Sequence, residues 1–192
     1  MTPTEEAGVL PVDKPAGPTS HDVVIAARRA LRTRRIGHTG TLDPFASGLM
    51  LLCVGTATRI AQYLTGLPKT YRAVIRFGTA TATDDRTGEP VAVSESWRSL
   101  NAPLVREALV TLTGDVMQIP PIFSAKKVGG VAMHRLARRG NAPVPQPTPV
   151  RIDRIELIDL DLPDATIEID CSAGTYVRAV ARDAGATLQT CA

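Results

Sequence analysis

A glycine-rich loop contains the residues best suited to chemistry. Between Gly37 and Gly48 the chain has the sequence GHTGTLDPFASG, with His38 and Asp43 as its ionisable side chains. Such loops present side chains on a rigid base. By residue type, Asp43 can be a nucleophile, a metal ligand or a turn residue, because Asp-Pro is a common turn starter.

The surrounding sequence gives little support to two other chemistries. A metal site needs several ligands, and His38 has no cluster of Cys, His or carboxylate residues close to it in sequence. Ser47 lies outside the G-x-S-x-G context of a hydrolase, and the chain has no G-x-x-x-x-G-K phosphate loop. We therefore expect neither a metal nor an organic cofactor.

Positive and negative side chains are segregated along the chain, whose net charge is +3. Two clusters are basic and free of carboxylates: Arg28, Arg29, Arg32, Arg34 and Arg35, and then Lys126, Lys127, Arg135, Arg138 and Arg139. Residues 153–170 are acidic, with Arg154 as their one base. The segregation indicates a face for a polyanion, although charge alone fits a solvated helix face equally well.

Length and composition favour a single cytoplasmic domain. A chain of 192 residues that is 44% hydrophobic can bury a core without disulfides. Residues 49–54, the most apolar stretch, are far fewer than the ~20 needed to cross a bilayer, and the N-terminus lacks an apolar signal segment. The three cysteines match neither a disulfide framework nor a zinc site. We expect a monomer without membrane contact or protein partner.

Hydrophobic periodicity predicts the elements that must position the loop. The predicted strands are residues 8–12, 49–54, 71–77 and 167–171, and the predicted helices are residues 23–31, 58–64, 104–112 and 177–188. Thr19 to Asp22 form a capping box before the first helix, and Gly114 follows the third where a C-cap glycine is expected. Residues 143–149 are rich in proline and predict an extended connector. The fold class is α+β, with a mixed, mainly antiparallel sheet flanked by helices.

The loop resembles the catalytic motif GHTGxLDPxAxG of the TruB family of pseudouridine synthases at every specified position. Further stretches agree in order and spacing: residues 8–15 with Gly17, Thr19 and Ser20, then residues 69–72, 119–127 and 174–178. The resemblance implies the pseudouridine synthase fold, with residues 1–192 as a catalytic domain. It also implies isomerisation of the T-loop uridine at tRNA position 55, a reaction that needs no redox group or metal.

The same resemblance implies roles for individual residues. Asp43 matches the catalytic aspartate, Tyr71 the tyrosine that stacks on the target base, and Arg178 the arginine that pairs with that aspartate. His38 matches the histidine that helps hold the T-loop with its uridine flipped out. Lys14 belongs to a motif that braces the catalytic loop.

We expect the tRNA T-arm to be recognised by shape and phosphates, because seven aromatic residues are too few for a repeated stacking platform. The residues that we assign to substrate binding are His38, Lys14, Arg34, Arg35, Lys126 and Lys127.

The sequence departs from the family pattern at three places. Thr81-Ala82-Thr83 stands where a Thr-Asp-Thr triplet is frequent, with Asp85 still at the later acidic position, and His134 stands where a tyrosine is frequent. The chain stops at Ala192, where family members continue through an apolar segment and usually a PUA domain. We therefore expect an incomplete C-terminal end without a PUA domain. This leaves two alternatives: a non-catalytic tRNA-binding or tRNA-folding module of the same family, or an unrelated basic RNA-binding domain.

Overall fold

A computed structural model describes residues 7–124, 126–140 and 143–192, and gives the backbone alone for Lys127, Val128, Ala132 and His134. The chain divides into two compact units, one ending at Leu67 and the other beginning at Pro68. The strand pairs of the described residues are antiparallel, and helices accompany the sheets in both units. These features confirm the α+β prediction.

The first unit is built around a sheet with the strand order β1-β3-β2. Its elements are β1 (Gly8–Lys14), α1 (Ser20–Ala30), β2 (Ile36–His38), β3 (Gly48–Val54), a 3-10 helix (Gly55–Ile60) and α2 (Ala61–Thr65). Because β3 is flanked by strands on both sides, its residues Met50, Leu52 and Cys53 are buried, as the apolar run predicted. Leu49 is the exception, since 68% of its surface is exposed.

The predicted capping box starts α1. Thr19 is the N-cap residue: its hydroxyl accepts from the Asp22 N–H at 3.1 Å, and its own N–H donates to the Asp22 carboxylate at 2.9 Å. The helix buries Val24 against Ile36 and Met50 in the core of this unit. The packing of α1 thereby fixes the point at which residues 31–36 begin, and these residues lead into the glycine-rich loop.

The second unit contains a larger sheet with the strand order β4-β11-β10-β7. Its elements are β4 (Lys69–Arg76), β5 (Thr79–Thr81), β6 (Pro90–Val93), a 3-10 helix (Ser96–Ser99), α3 (Ala102–Thr111), β7 (Gly114–Gln118), β8 (Lys127–Val128), β9 (Val131–Ala132), α4 (Met133–Ala137), β10 (Thr148–Asp161), β11 (Asp164–Cys171) and α5 (Val177–Thr187). The sheet packs with α3 and α5 around one hydrophobic core.

Core-facing and solvent-facing side chains alternate along β4 and β11, as predicted. Tyr71 pairs with Ile169, and Ile75 pairs with Ala165, on the face that packs in the core. The opposite face has charged residues in ion pairs. Its centre is Arg154, which contacts three carboxylates: Glu156, Glu168 and Asp170.

Two boundaries differ from the sequence prediction. The proline-rich stretch was expected to be a connector as far as Pro149, but β10 already begins at Thr148, and Pro149 pairs with Met117. Gly114 does not cap α3, because the helix ends at Thr111 and Gly114 is the first residue of β7, with a φ of 90°. Pairing between β7 and β10 fixes both positions, and helical periodicity alone does not contain that information.

Candidate active site

A buried lysine supports the loop that contains Asp43. The side chain of Lys14, at the end of β1, is 0% exposed. Its ammonium donates to the carbonyl oxygens of Pro15 at 2.9 Å, Pro44 at 3.2 Å and Ala46 at 2.6 Å. All three N–H donors are therefore used within the protein. These contacts support the bracing role of Lys14, and its assignment to substrate binding stays a prediction.

Gly17, in the segment before α1, and Ser20, the first residue of α1, also hold this loop. The N–H of Gly17 donates to the Pro44 carbonyl at 2.7 Å, from a φ of 114° that favours glycine. The buried hydroxyl of Ser20 donates to the Leu42 carbonyl at 3.1 Å and accepts from the Leu42 N–H at 2.9 Å. The backbone on both sides of Asp43 is thus fixed from outside the loop.

Asp43 is half-buried within this support. Its backbone carbonyl accepts from the Ala46 N–H at 3.1 Å, which closes a turn over Pro44. Burial lowers the pKa of Lys14, and the charge of Asp43 acts in the opposite direction and raises it. Because attraction between two charges is mutual, the ammonium also favours the ionised form of the Asp43 carboxylate. The arrangement suits an anionic nucleophile.

His38 ends β2, beside Leu52 of the central strand. Its ring is half-buried, and its Nδ1 atom is buried without a hydrogen-bond partner among the described residues. The next residue, Thr39, is buried and its N–H donates to the Leu51 carbonyl at 3.1 Å. The strand therefore positions His38 at the entrance to the loop.

The first basic cluster forms a groove of about 580 Å³ at the C-terminal end of α1. The residues that line it are Ile25, Arg28, Arg29, Arg32, Thr33 and Arg34. Arg28 donates to the Ile36 carbonyl at 2.9 Å, whereas Arg32 and Arg34 are exposed. Arg32 has a φ of 50°, a backbone conformation that usually belongs to glycine at helix ends.

Arg35 lies just outside the groove, and its guanidinium donates to the Thr58 hydroxyl at 3.3 Å. In the second cluster, the Lys126 ammonium donates to the Thr148 hydroxyl at 2.7 Å, while Arg135, Arg138 and Arg139 are exposed. Lys127 lies in β8, and its side chain is outside the described part of the structure. The assignment of these residues to substrate binding stays a prediction.

Arg178 is a buried residue in the first turn of α5. Its guanidinium donates to the carbonyls of Thr83 at 2.7 Å and Phe123 at 3.0 Å, and it lies 3.5 Å from the equally buried Asp85 carboxylate. It therefore links two loops of the second unit. Tyr71 is half-buried in the core phase of β4. The pairing of Arg178 with Asp43, and stacking by Tyr71, stay predictions.

A second arginine on α5 was missed by sequence reasoning. Arg182 follows Arg178 by four residues and so lies on the same helix face. It donates to the Asp84 carboxylate at 3.2 Å and to the Ile119 carbonyl at 2.9 Å. The i, i+4 spacing of the two arginines was visible in the sequence, but their loop partners were not.

The residues that the structure describes offer neither a metal site nor a membrane span. They contain no group of three or more His, Cys, Asp or Glu residues that can hold a metal ion. Among the same residues, no helix has the length and apolar character needed to cross a membrane.

Known proteins resemble this chain in sequence and in structure. Residues 28–177 match the model of the TruB family pseudouridylate synthase, N-terminal domain. The chain is 49% identical over 185 residues to the tRNA pseudouridine synthase B of Mycobacterium avium, and 47% identical over 191 residues to that of Mycobacteroides abscessus. These alignments cover 94% and 97% of this chain.

Among solved structures, a chain in the crystal structure of a Cbf5-Nop10-Gar1 complex matches with a TM-score of 0.71 and 26% identity, over 96% of this chain and 45% of that one. A chain in the structure of an H/ACA RNP bound to a substrate RNA has the same fold, with a TM-score of 0.67. The present chain spans 60% and 64% of the two mycobacterial relatives. The family model covers most of its length, and the chain belongs to the TruB family of pseudouridylate synthases.

Proposed function

We propose that this chain isomerises the T-loop uridine at tRNA position 55 to pseudouridine, with Asp43 as the nucleophile. The observation that carries the proposal is the position of Asp43, in the family's catalytic motif and on a loop fixed by the buried Lys14. The relatives that share about half of its residues are named tRNA pseudouridine synthase B, which supports tRNA as the substrate.

The reaction explains why a carboxylate suffices. The bond between N1 of the base and C1′ of the sugar breaks, the uracil turns, and C5 bonds to C1′. C5 then loses its proton to solvent while N1 gains one, so the step is an isomerisation without redox change. Asp43 starts it by adding to C6 of the base or by acting at the sugar, and both routes need an ionised carboxylate held in one place.

The other residues would serve the nucleophile and the extruded base. The target uridine lies inside a folded tRNA elbow, so it must be flipped out before it can react. We propose that His38 supports the T-loop after extrusion and that Tyr71 stacks on the flipped uracil. Arg178 would orient the Asp43 carboxylate by a charge-assisted hydrogen bond.

Binding of the T-arm would rest on phosphate contacts from the two basic clusters. The exposed Arg32 and Arg34 line the groove at the end of α1, which fits a phosphate backbone better than a neutral ligand. A tRNA substrate also fits a cytoplasmic protein, and we propose that location for this chain.

A tritium-release assay tests the proposal directly. A tRNA transcript is made with uridine tritiated at C5, and tritium in water then reports each isomerisation. We expect release from the parent chain, no release when U55 is replaced by cytidine, and none from Asp43→Asn, which keeps the side-chain shape but removes the nucleophile. Asp159→Asn, which changes an exposed carboxylate on β10, is the matched control and should retain the parent rate.

Binding measured on the same proteins separates the alternatives. Asp43→Asn should bind tRNA within a small factor of the parent, because the substitution changes no basic side chain. A parent chain that binds the T-arm without releasing tritium would instead support the non-catalytic binding module. Release from Asp43→Asn near the parent rate would reject Asp43 as the nucleophile.

A further inference from the structure

Arg178 and Arg182 bridge the same two segments of the second unit. Arg178 contacts Thr83 in the loop of residues 81–88 and Phe123 in the segment of residues 119–123. Arg182 repeats this pattern one helical turn later, with Asp84 in the first segment and Ile119 in the second. The two arginines thus fasten both segments to one face of α5.

The loop of residues 81–88 is held together by its own hydrogen bonds, and the two arginines fasten it to α5. The Asp85 carboxylate accepts from the hydroxyls of Thr83 at 2.8 Å and Thr87 at 2.5 Å, and from the Thr87 N–H at 2.9 Å. The Asp85 N–H donates to the Thr81 hydroxyl at 3.0 Å. A shift of this loop therefore moves the Asp85 carboxylate and the Thr83 carbonyl together.

The backbone conformation and the burial of Asp84 are both unusual for a residue in a surface loop. Its φ is 55°, in the left-handed region, and its side chain is 20% exposed. Burial raises its pKa, and the positive charges of Arg182 and Arg178 oppose that rise. The carboxylate is thus kept in an environment that disfavours its charge, next to the guanidinium of Arg182.

We infer that Arg182, paired with Asp84, is a positioning residue that keeps the partners of Arg178 in place and so holds the Arg178 guanidinium in one orientation. The inference rests on the proposed function, because the orientation of Arg178 matters only if that residue serves Asp43. It assigns to Arg182 no contact with the substrate. Its effect on the reaction passes through the loop of residues 81–88 and then through Arg178.

The first test separates positioning from stability. Arg182→Gln, Arg182→Lys, Asp84→Asn and the Gln/Asn double variant are assayed under single-turnover conditions, with enzyme in excess and below their melting temperatures. We expect the rate of Arg182→Gln to fall by about tenfold, since small misplacements of catalytic groups have effects of this size or larger. The tRNA Kd should change by less than about threefold, because Arg182 is assigned no bond to a phosphate.

The variants also test whether the pair acts as a unit. The double variant should be no slower than Arg182→Gln alone, because each single change already removes the interaction. Arg182→Lys should be faster than Arg182→Gln, because lysine keeps the positive charge. It should stay slower than the parent, because lysine lacks the planar guanidinium that reaches both segments. Arg154→Gln, which removes an arginine with three carboxylate partners on the solvent face of the sheet, is the matched control and should keep the parent rate.

Hydrogen exchange gives a second reading that does not depend on activity. The amide hydrogens of residues 81–88 should exchange about tenfold faster in Arg182→Gln than in the parent, and those of β11 should be unchanged. A variant with the parent's exchange and single-turnover rates would overturn the inference. A parent chain without turnover would count against the proposed function instead, and the exchange result would still decide whether Arg182 positions the loop.

Discussion

The hydroxyl of Ser20 bonds both polar backbone groups of Leu42, donating to its carbonyl at 3.1 Å and accepting from its N–H at 2.9 Å. Leu42 directly precedes Asp43, and Ser20 opens α1, so the helix start and the catalytic-motif loop are joined at a single buried side chain. Because both backbone groups are bonded, the peptide planes on either side of Leu42 cannot turn without breaking a bond.

Ser20→Ala should slow the proposed reaction while leaving tRNA binding near the parent level. The change removes both bonds to Leu42, which loosens the backbone before Asp43 but touches no exposed basic residue. Single-turnover tritium release and a tRNA binding titration measure the two quantities. Ser47→Ala removes an exposed hydroxyl from the same loop and is the control. Equal rates for the two variants would show that Ser20 does not position Asp43.

Lys14→Met should lower the free energy of unfolding by about 1–3 kcal/mol, the usual cost of a buried polar group that loses its partner. The Pro44 carbonyl keeps the Gly17 N–H, but the Ala46 carbonyl loses the 2.6 Å bond from the ammonium. Urea unfolding at neutral pH measures the difference. The exposed Arg59, replaced by Met, controls for the loss of a positive charge from the same unit. A Lys14 variant as stable as the control would contradict the bracing role.

Replacing Arg32, Arg34 and Arg35 by Ala should weaken tRNA binding and flatten its dependence on salt. Each arginine–phosphate ion pair that the substitution removes should reduce the slope of log K against log salt by about 0.7–0.9. Filter binding at a series of salt concentrations gives the slope. Alanine at Arg76, Arg151 and Arg154, which are paired with carboxylates, removes equal charge and should leave the slope near the parent value. An unchanged slope in the first variant would identify the groove as a solvated face.

The free energy of unfolding of the parent, compared with that of Asp84→Asn, should be larger at acid pH than at neutral pH. Burial raises the folded-state pKa of Asp84 above its usual 3.8, so the folded state binds the proton more tightly. The stability gained from that proton is complete below the unfolded pKa and is lost as pH rises through the folded pKa. Urea unfolding of both proteins near pH 4 and pH 7 tests the sign. The prediction would be contradicted if the stability of the parent relative to Asp84→Asn increased as the pH rises.

Local patterns were enough to predict much of the fold. The capping box of Thr19 and Asp22 spans four residues, and the alternation that places Tyr71 in the core lies within one strand. The bonds of Lys14 to Pro44 and Ala46 join residues 30 and 32 positions apart, and those of Arg182 to Asp84 and Ile119 join residues 98 and 63 apart. Such contacts depend on the chain path between elements, which periodicity does not encode.

The strand order β4-β11-β10-β7 also has a consequence for biosynthesis. The edge strand β4 pairs with β11, so that Thr70 bonds Asp170 across a separation of 100 residues. On the ribosome β4 must therefore wait for its pairing partner until residue 171 has been made, whereas the strand that pairs with both β1 and β2 ends at residue 54. Distant pairings of this kind slow folding and expose strand edges to other chains. We expect the unit that contains Asp43 to form early in synthesis, and the unit that contains Arg178 to depend most on slow translation and chaperones.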